Sequence, residues 1–491
     1  MTTTDGTAPH LGDIPPEEFR RQAQRVLQWI GDYLEHPDRF PVVPRVAPGE
    51  IAASLPEAPP ALGEPLDAVL DDFERLIVPG VTHWNHPGFF AYFPAGTSAS
   101  GVLAEFLSAA LNQQAMLWRT SPAATELEEI SLTWLRQLLG LPEVFEGVIY
   151  DTASISSLHA LAAARQIAVP GVRERGLPGR SEVGSLRIYC SDQAHSSIDK
   201  AVLTLGLGQS SLRRLPVDEH YGMQPQALRA ALDEDRRAGI TPVAVVATIG
   251  TTSTTGVDPV DAIADICREH RVWLHVDAAY AGVAAMLPEC ASYFSGWDRA
   301  DSIVINPHKW LFTPFDLSAF YCRRMDLVRE AFSLVPEYLK TTETSQGARN
   351  LMDTGIQLGR RFRSLKLWMI LRHFGAARLR GVLAEHIRLA QEFAARVDAH
   401  PDFERLAPVP FAVVCFRANP RAVRLTPAEL DLFNEQLLDA VNATGEVFLS
   451  HTRINGIFAL RIAIGHLRTT AAHTRRAWEL LSQHTAALAM V

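Results

Sequence analysis

Cysteine is scarce in this 491-residue chain: Cys190, Cys267, Cys290, Cys322 and Cys415 are scattered, odd in total, and form no Cys-x-x-Cys pair. That pattern speaks against a disulfide framework or a cysteine zinc site and suits reduced thiols. Basic runs are absent too. The 46 Lys and Arg stand against 55 Asp and Glu, a net charge of −9, which argues against nucleic acid and anionic membrane as partners. No apolar run approaches the roughly 18 residues a membrane helix needs. The opening MTTTDGTAPHLGD lacks a basic segment followed by an apolar one, so no secretory signal is expected and the protein is expected to be cytoplasmic. There is no GxxxxGK[ST] loop, which leaves a Walker-type nucleotide site without support. Internal repeats and low-complexity tracts are also missing.

What is present is a full core. Apolar residues make up 47% and charged residues 21%, ordinary values for a globular protein. In IPPEEFRRQAQRVLQWIGDYLEH (14–36), Phe19, Ala23, Val26, Leu27, Ile30 and Leu34 form one helical stripe. Pro-rich connections and a second helix, LDAVLDDFERLIV, follow. These elements are too few to enclose a core, so residues 1–98 are expected to be a helical appendage on another surface, such as a second subunit. From 99 to 368 helices alternate with short apolar strands: GVIY, LRIYC, PVAVVATIG, VWLHVDAAY, SIVIN and AFYC. That alternation predicts an α/β domain with a mostly parallel sheet covered on both faces. Residues 369–491, with FAVVCFRA and FALRIAIG between helices, predict a smaller α+β domain.

The unusual residues fall at the carboxyl ends of the expected strands, where such sheets bind ligands. Asp277 ends VWLHV; it is either a helix cap or a carboxylate that meets a positive partner. After GVIY, the segment DTASISS places small and hydroxyl residues at a helix start, suited to ordinary capping or to a phosphate. His195, after LRIYC, has small polar flanks that leave room for a flat ligand. Lys309 follows a wholly apolar strand in SIVINPHKWLF; a lysine desolvated there is a nucleophilic amine able to form a Schiff base. A carbonyl cofactor with a phosphate handle and a basic ring nitrogen would use all four features, and pyridoxal 5'-phosphate has them.

With these residues in place, the chain resembles the group II pyridoxal-phosphate decarboxylases, and among them the aromatic L-amino-acid decarboxylases. The likeness runs from about residue 17 to 485 and is carried by PGVTHWNHPGFFAYFPA, SPAATELE, SDQAHSS, TIGTTSTTGVDPV, WLHVDAAYAG, NPHKW, LGRRFRSLKLW and LRIAIGHLRTT. The resemblance implies the aspartate aminotransferase-like fold type I and an obligate homodimer with active sites at its interface. It implies that Lys309 holds the cofactor aldehyde, Asp277 faces the pyridine nitrogen, and His195 and Ala279 lie on opposite faces of the ring. Thr152, Ala153, Ser154, Asn306 and His308 would surround the phosphate, with Thr252 near the ring substituents. Tyr338, in LVPEYLKTTETSQGARN, would sit on a mobile lid and return a proton to the substrate; related aldehyde synthases carry phenylalanine there.

By the same resemblance the substrate pocket would use Trp84, Tyr92, Phe93, Pro94, Met116, Leu358 and Gly359. An aromatic and thioether lining suits a flat apolar side chain better than a second carboxylate; the resemblance to plant relatives, in which glycine at the place of Gly359 accompanies indolic substrates and serine phenolic ones, tilts the expectation toward tryptophan over dopa and tyrosine. The alternatives are a non-aromatic substrate, an aromatic aldehyde synthase on the same cofactor, and a non-enzymatic scaffold. The chain departs from the family's pattern at Asp151, where relatives commonly have glycine, and at Ile155, Ala95 and Met116. No histidine set suggests a metal.

Overall fold

Near-continuous runs of Val, Ile and Ala give the chain its central sheet. The computed structural model describes residues 13–334 and 347–490, which divide into two compact units, Met1–His86 and Pro87–Val491. The division falls before the expected boundary at 98/99.

In the first unit the helix Pro16–Glu35 carries half-buried Val26, Ile30 and Leu34, while Phe19 and Leu27 on the expected stripe stay 57% and 45% exposed. Arg25 donates to Asp71 (2.6 Å) and Glu74 (3.1 Å), and Trp29 meets the Phe73 ring edge-on at 5.1 Å. Few side chains are fully buried here. The unit does not close an apolar core of its own.

The second unit holds a seven-stranded sheet. Its strands are β1 (Glu146–Tyr150), β2 (Leu186–Ser191), β3 (Leu212–Leu215), β4 (Thr241–Thr248), β5 (Trp273–Asp277), β6 (Ser302–Ile305) and β7 (Ser318–Cys322), in the spatial order β1-β7-β6-β5-β4-β2-β3. Only β7 runs against the rest, pairing antiparallel with both β1 and β6. The sheet is thus mostly parallel, in keeping with fold type I. The helix Ala153–Ala168 crosses one face, touching β1 and β4 to β7. A four-stranded antiparallel sheet follows, made of β8 (Phe403–Arg405), β9 (Val413–Ala418), β10 (Ser450–Ile454) and β11 (Ile457–Ala463). The helix Ser364–Ala399 runs through the expected 368/369 boundary, broken locally at Gly375, whose φ of 66° is not helical.

One buried ion pair fixes the edge of the large sheet. Glu128 Oε1 accepts from the Ile149 N–H (2.8 Å) and from Arg360 (2.7 Å), which also donates to the Ile149 carbonyl (2.8 Å). Both side chains are less than a tenth exposed. Glu128→Ala leaves the guanidinium buried and uncompensated, so it is expected to cost about 3–5 kcal/mol of folding free energy. Urea denaturation should show a lowered midpoint, largely restored when Arg360→Met is added. An unchanged midpoint for the single variant would show that the pair carries no weight.

Candidate active site

Five strands of the large sheet point their carboxyl ends at one cavity of about 190 Å³. After β1 come Thr152, Ala153 and Ser154; after β2, His195; at the end of β4, Thr248, Gly250 and Thr252; from β5, Asp277, Ala279 and Tyr280; after β6, Asn306, His308 and Lys309. Phe93 completes the lining. All ten residues expected around the cofactor therefore lie on one surface. The loop after β4 needs its glycine: Gly250 has φ +87°, and a Cβ there would stand 2.6 Å from the Ala281 Cβ.

Local chemistry prepares each group. Lys309 begins just past β6, within the short turn Pro307–Trp310. Burial pushes its ammonium pKa down and the nearby Arg461 guanidinium adds to this, while the Asp277 charge opposes it. Asp277 is buried, and its Oδ1 accepts from the Ala279 N–H at 3.1 Å. His308 Nδ1 accepts from the Leu317 N–H (2.9 Å), and burial lowers its pKa to about 3. It is therefore a neutral imidazole whose Nε2 carries the proton. His195 Nδ1 likewise accepts from the Ser197 N–H at 3.1 Å, and burial also lowers its pKa. The residue as a whole keeps solvent exposure, and it lines the cavity.

An aromatic stack stands behind the lysine. Phe93 lies on Tyr280 with centroids 3.9 Å apart, and Tyr280 lies on Trp310 at 4.8 Å. Trp310 Nε1 donates to His386 Nδ1 at 3.0 Å. Lys309 Nζ is 5.1 Å from the Phe93 centroid and the Arg461 guanidinium carbon 4.6 Å. These rings exclude water and low-dielectric surroundings favour the neutral amine. That is the physical reason an amine sits between an imidazole and an indole.

The residues fit a phosphorylated pyridoxal. The first N–H groups of the helix Ala153–Ala168 have no intrahelical partner, and its N-cap, Thr152, makes no side-chain capping bond. Asn306 Oδ1 is a buried acceptor with no hydrogen-bond partner among the described residues, suited to a ligand's donor and not to phosphate oxygens. The set also offers one nucleophilic amine and one buried carboxylate at opposite duties. No group of three or more His, Cys, Asp or Glu among the described residues is placed to hold a metal.

The expected substrate pocket is less complete. Only Phe93 of that set lines the cavity. Tyr92 is 57% exposed with φ 50°, Leu358 is 46% exposed, and Gly359 is exposed. A Cβ at Gly359 would meet Gln114 Nε2 at 3.1 Å. Pro94 is buried against Gly465, and Met116 is half-buried beside Leu117 and Met352. Trp84 belongs to the other compact unit, and Tyr338 lies outside the described residues. Sequence reasoning missed Thr248, Gly250 and Tyr280, although each adjoins a strand end already singled out. It also missed Arg461, whose signal was a lone charge inside the apolar FALRIAIG.

A larger cavity of about 520 Å³ opens at the amino ends of β4 and β5, lined by Arg268, Arg271, Arg299 and Arg323. Arg268 and Arg299 share Asp265, and Arg323 donates to the Ala300 carbonyl. It holds none of the strand-end groups.

Comparison with known proteins finds relatives along nearly the whole chain. Residues 48–419 match the pyridoxal-dependent decarboxylase conserved domain. The chain is 39% identical to tyrosine decarboxylase 1 of Narcissus pseudonarcissus, over 99% of this chain and 95% of the relative. It is 40% identical to a phenylacetaldehyde synthase of Arabidopsis thaliana, over 99% of both. The solved structure of Oryza sativa TDC with PLP and tryptamine superposes with a TM-score of 0.93 at 36% identity, covering 98% of this chain and all of that one.

Proposed function

The chain belongs to the pyridoxal-dependent decarboxylase family, and from that premise we propose that it converts an aromatic L-amino acid to its amine and carbon dioxide. Tryptophan is placed ahead of dopa and tyrosine. The family's cofactor is pyridoxal 5'-phosphate, and the activity is that of a carbon–carbon lyase, closest to EC 4.1.1.28. The observation that carries the reading is the convergence of Lys309, Asp277, His195 and the Thr152–Ser154 helix start on one cavity.

When bound, the cofactor supplies a protonated ring that accepts the electron pair left as the carboxylate departs. The chain's residues make this possible. Lys309 offers a neutral amine for attachment, because desolvation has lowered its proton affinity. Asp277 holds a fixed negative charge on the cavity wall, where a ring nitrogen keeps its proton. His195 and Ala279, both on the cavity wall, would hold the ring between them. Thr152, the amide groups at 153 and 154 and the Nε2–H of His308 would donate to the phosphate. Tyr338 returns a proton to the substrate carbon. Phe93 and Tyr280 keep water from that centre.

The aromatic preference rests on the cavity wall: among the described residues that line it, Lys309 is the one Lys or Arg, and the rest of that lining gives a second carboxylate no cationic partner. A homodimer is part of the same reading. The helix Ala99–Leu111 leaves Leu103, Phe106, Leu107 and Leu111 between 39% and 55% exposed, and a second copy of the chain would cover them and complete the pocket.

Incubation with tryptophan, dopa, tyrosine and glutamate tests the proposal. The expected products are the aromatic amine and carbon dioxide in equal amounts, without hydrogen peroxide. Identity to an aldehyde synthase supports a second reading, in which oxygen is consumed and an aldehyde forms. Aldehyde and peroxide as main products would favour that reading and remove the role given to Tyr338. Turnover of glutamate alone would overturn the aromatic preference.

A further inference from the structure

We propose that Asp151 is a brake on cofactor affinity: its carboxylate holds the hydrogen-bond donors of Thr152 in the absence of phosphate and opposes the phosphate charge in its presence. The inference rests on the reading that the helix start at 153 seats the cofactor's phosphate.

Asp151 stands directly before the lining residues Thr152, Ala153 and Ser154. Its Oδ1 accepts from the Thr152 N–H at 2.5 Å and from the Thr152 hydroxyl at 3.1 Å. Its Oδ2 accepts from the Gln357 side-chain amide at 3.3 Å. Both oxygens are thus engaged, and the anion is fixed at the head of the helix. An anion seated at a helix N-terminus draws its stability from the donors gathered there. Here two of those donors are already turned to a carboxylate.

Charge adds to this competition. A dianionic phosphate beside an ionised carboxylate is repelled, strongly so where water is sparse. Among the described residues no arginine lines the cavity, and its single lysine is Lys309, which the cofactor aldehyde would engage. With that amine engaged, no cationic side chain among the described lining residues offsets Asp151. Phosphate binding therefore requires Thr152 to exchange its carboxylate partner for the incoming oxygens, and the chain is left with a weaker hold than a glycine at 151 would give. The balance between apo and loaded protein then follows the free cofactor concentration.

The test titrates wild-type, Asp151→Asn and Asp151→Gly apoprotein with pyridoxal phosphate and, separately, with pyridoxal, which lacks the phosphate. Absorbance and tryptophan fluorescence report binding. Both variants are expected to bind pyridoxal phosphate about tenfold more tightly or better, with pyridoxal affinity changed less than about twofold. Inorganic phosphate should displace the cofactor at lower concentration from the variants than from wild type. Unchanged or weaker binding of pyridoxal phosphate would overturn the inference, as would equal tightening of pyridoxal. Wild type and variants that all fail to form a borohydride-reducible lysine adduct would instead overturn the cofactor reading, and this inference with it.

Discussion

Lys309→Ala is expected to lower kcat by at least about four orders of magnitude while leaving a folded protein. The side chain is half-buried beneath Phe93 and flanked by residues of very low exposure, His308 and Trp310. Its removal leaves the aromatic stack and β6 intact. Among the described lining residues no other side chain is a primary amine, so none of them can replace it as the attachment point. Methylamine added to the variant should recover part of the activity, because a free amine can occupy the emptied volume. Retention of more than about a hundredth of wild-type kcat would show that the amine is not required. Arginine at 309 should not substitute: a guanidinium stays protonated and is not nucleophilic.

Asp277→Asn is expected to lower kcat about a thousandfold with little change in fold, the scale seen when one preorganised electrostatic partner is lost. Asparagine keeps the shape and an acceptor for the Ala279 N–H, which now bonds Oδ1 at 3.1 Å. What it removes is the charge. A ring nitrogen facing a neutral amide has less reason to hold a proton, and the electron pair released at the substrate carbon loses its destination. The same substitution removes the one influence that raises the Lys309 pKa, leaving burial and Arg461 to depress it further. The acid limb of the attachment step should therefore move to lower pH in the variant. Stopped-flow spectra across pH would read both effects. A variant with wild-type kcat would mean that Asp277 is only a turn-forming residue.

Much of this was legible in the sequence because strand ends were legible. β1, β2, β4, β5, β6 and β7 are apolar runs bounded by small or polar residues, and every expected cofactor residue ends or follows one of them. The strands that escaped notice are edge strands with charged sequences. In β3, LRRL, Arg213 pairs with Glu234 and Asp235, and Arg214 pairs with Asp199. In β8 and β10, FER and SHTRI, polar residues dilute the pattern. Two expected strands ran too long, for a related reason: VWLHVDAAY stops at Asp277 and PVAVVATIG at Thr248. The backbone leaves the sheet where the site begins. Asp258 helps to end β4, its two oxygens accepting from the N–H groups of Thr248 and Met223 at 2.7 Å.

The substrate pocket was less legible because it depends on surfaces that no strand end marks. Tyr92 and Leu358 are exposed, and Phe93 alone of that set lines the cavity. Arg461 shows the opposite case. It is buried in β11, yet its guanidinium shares the Phe93 ring with Lys309. Only the tertiary fold brings those residues, far apart in sequence, to the same ring.

Reduction of the pyridoxal-phosphate-loaded protein with borohydride, followed by peptide mapping, addresses the central claim most directly. The account predicts one pyridoxyl group per chain, on the peptide that contains Lys309, and loss of the yellow absorbance on reduction. Label on another lysine, or none with the absorbance unchanged, would contradict it.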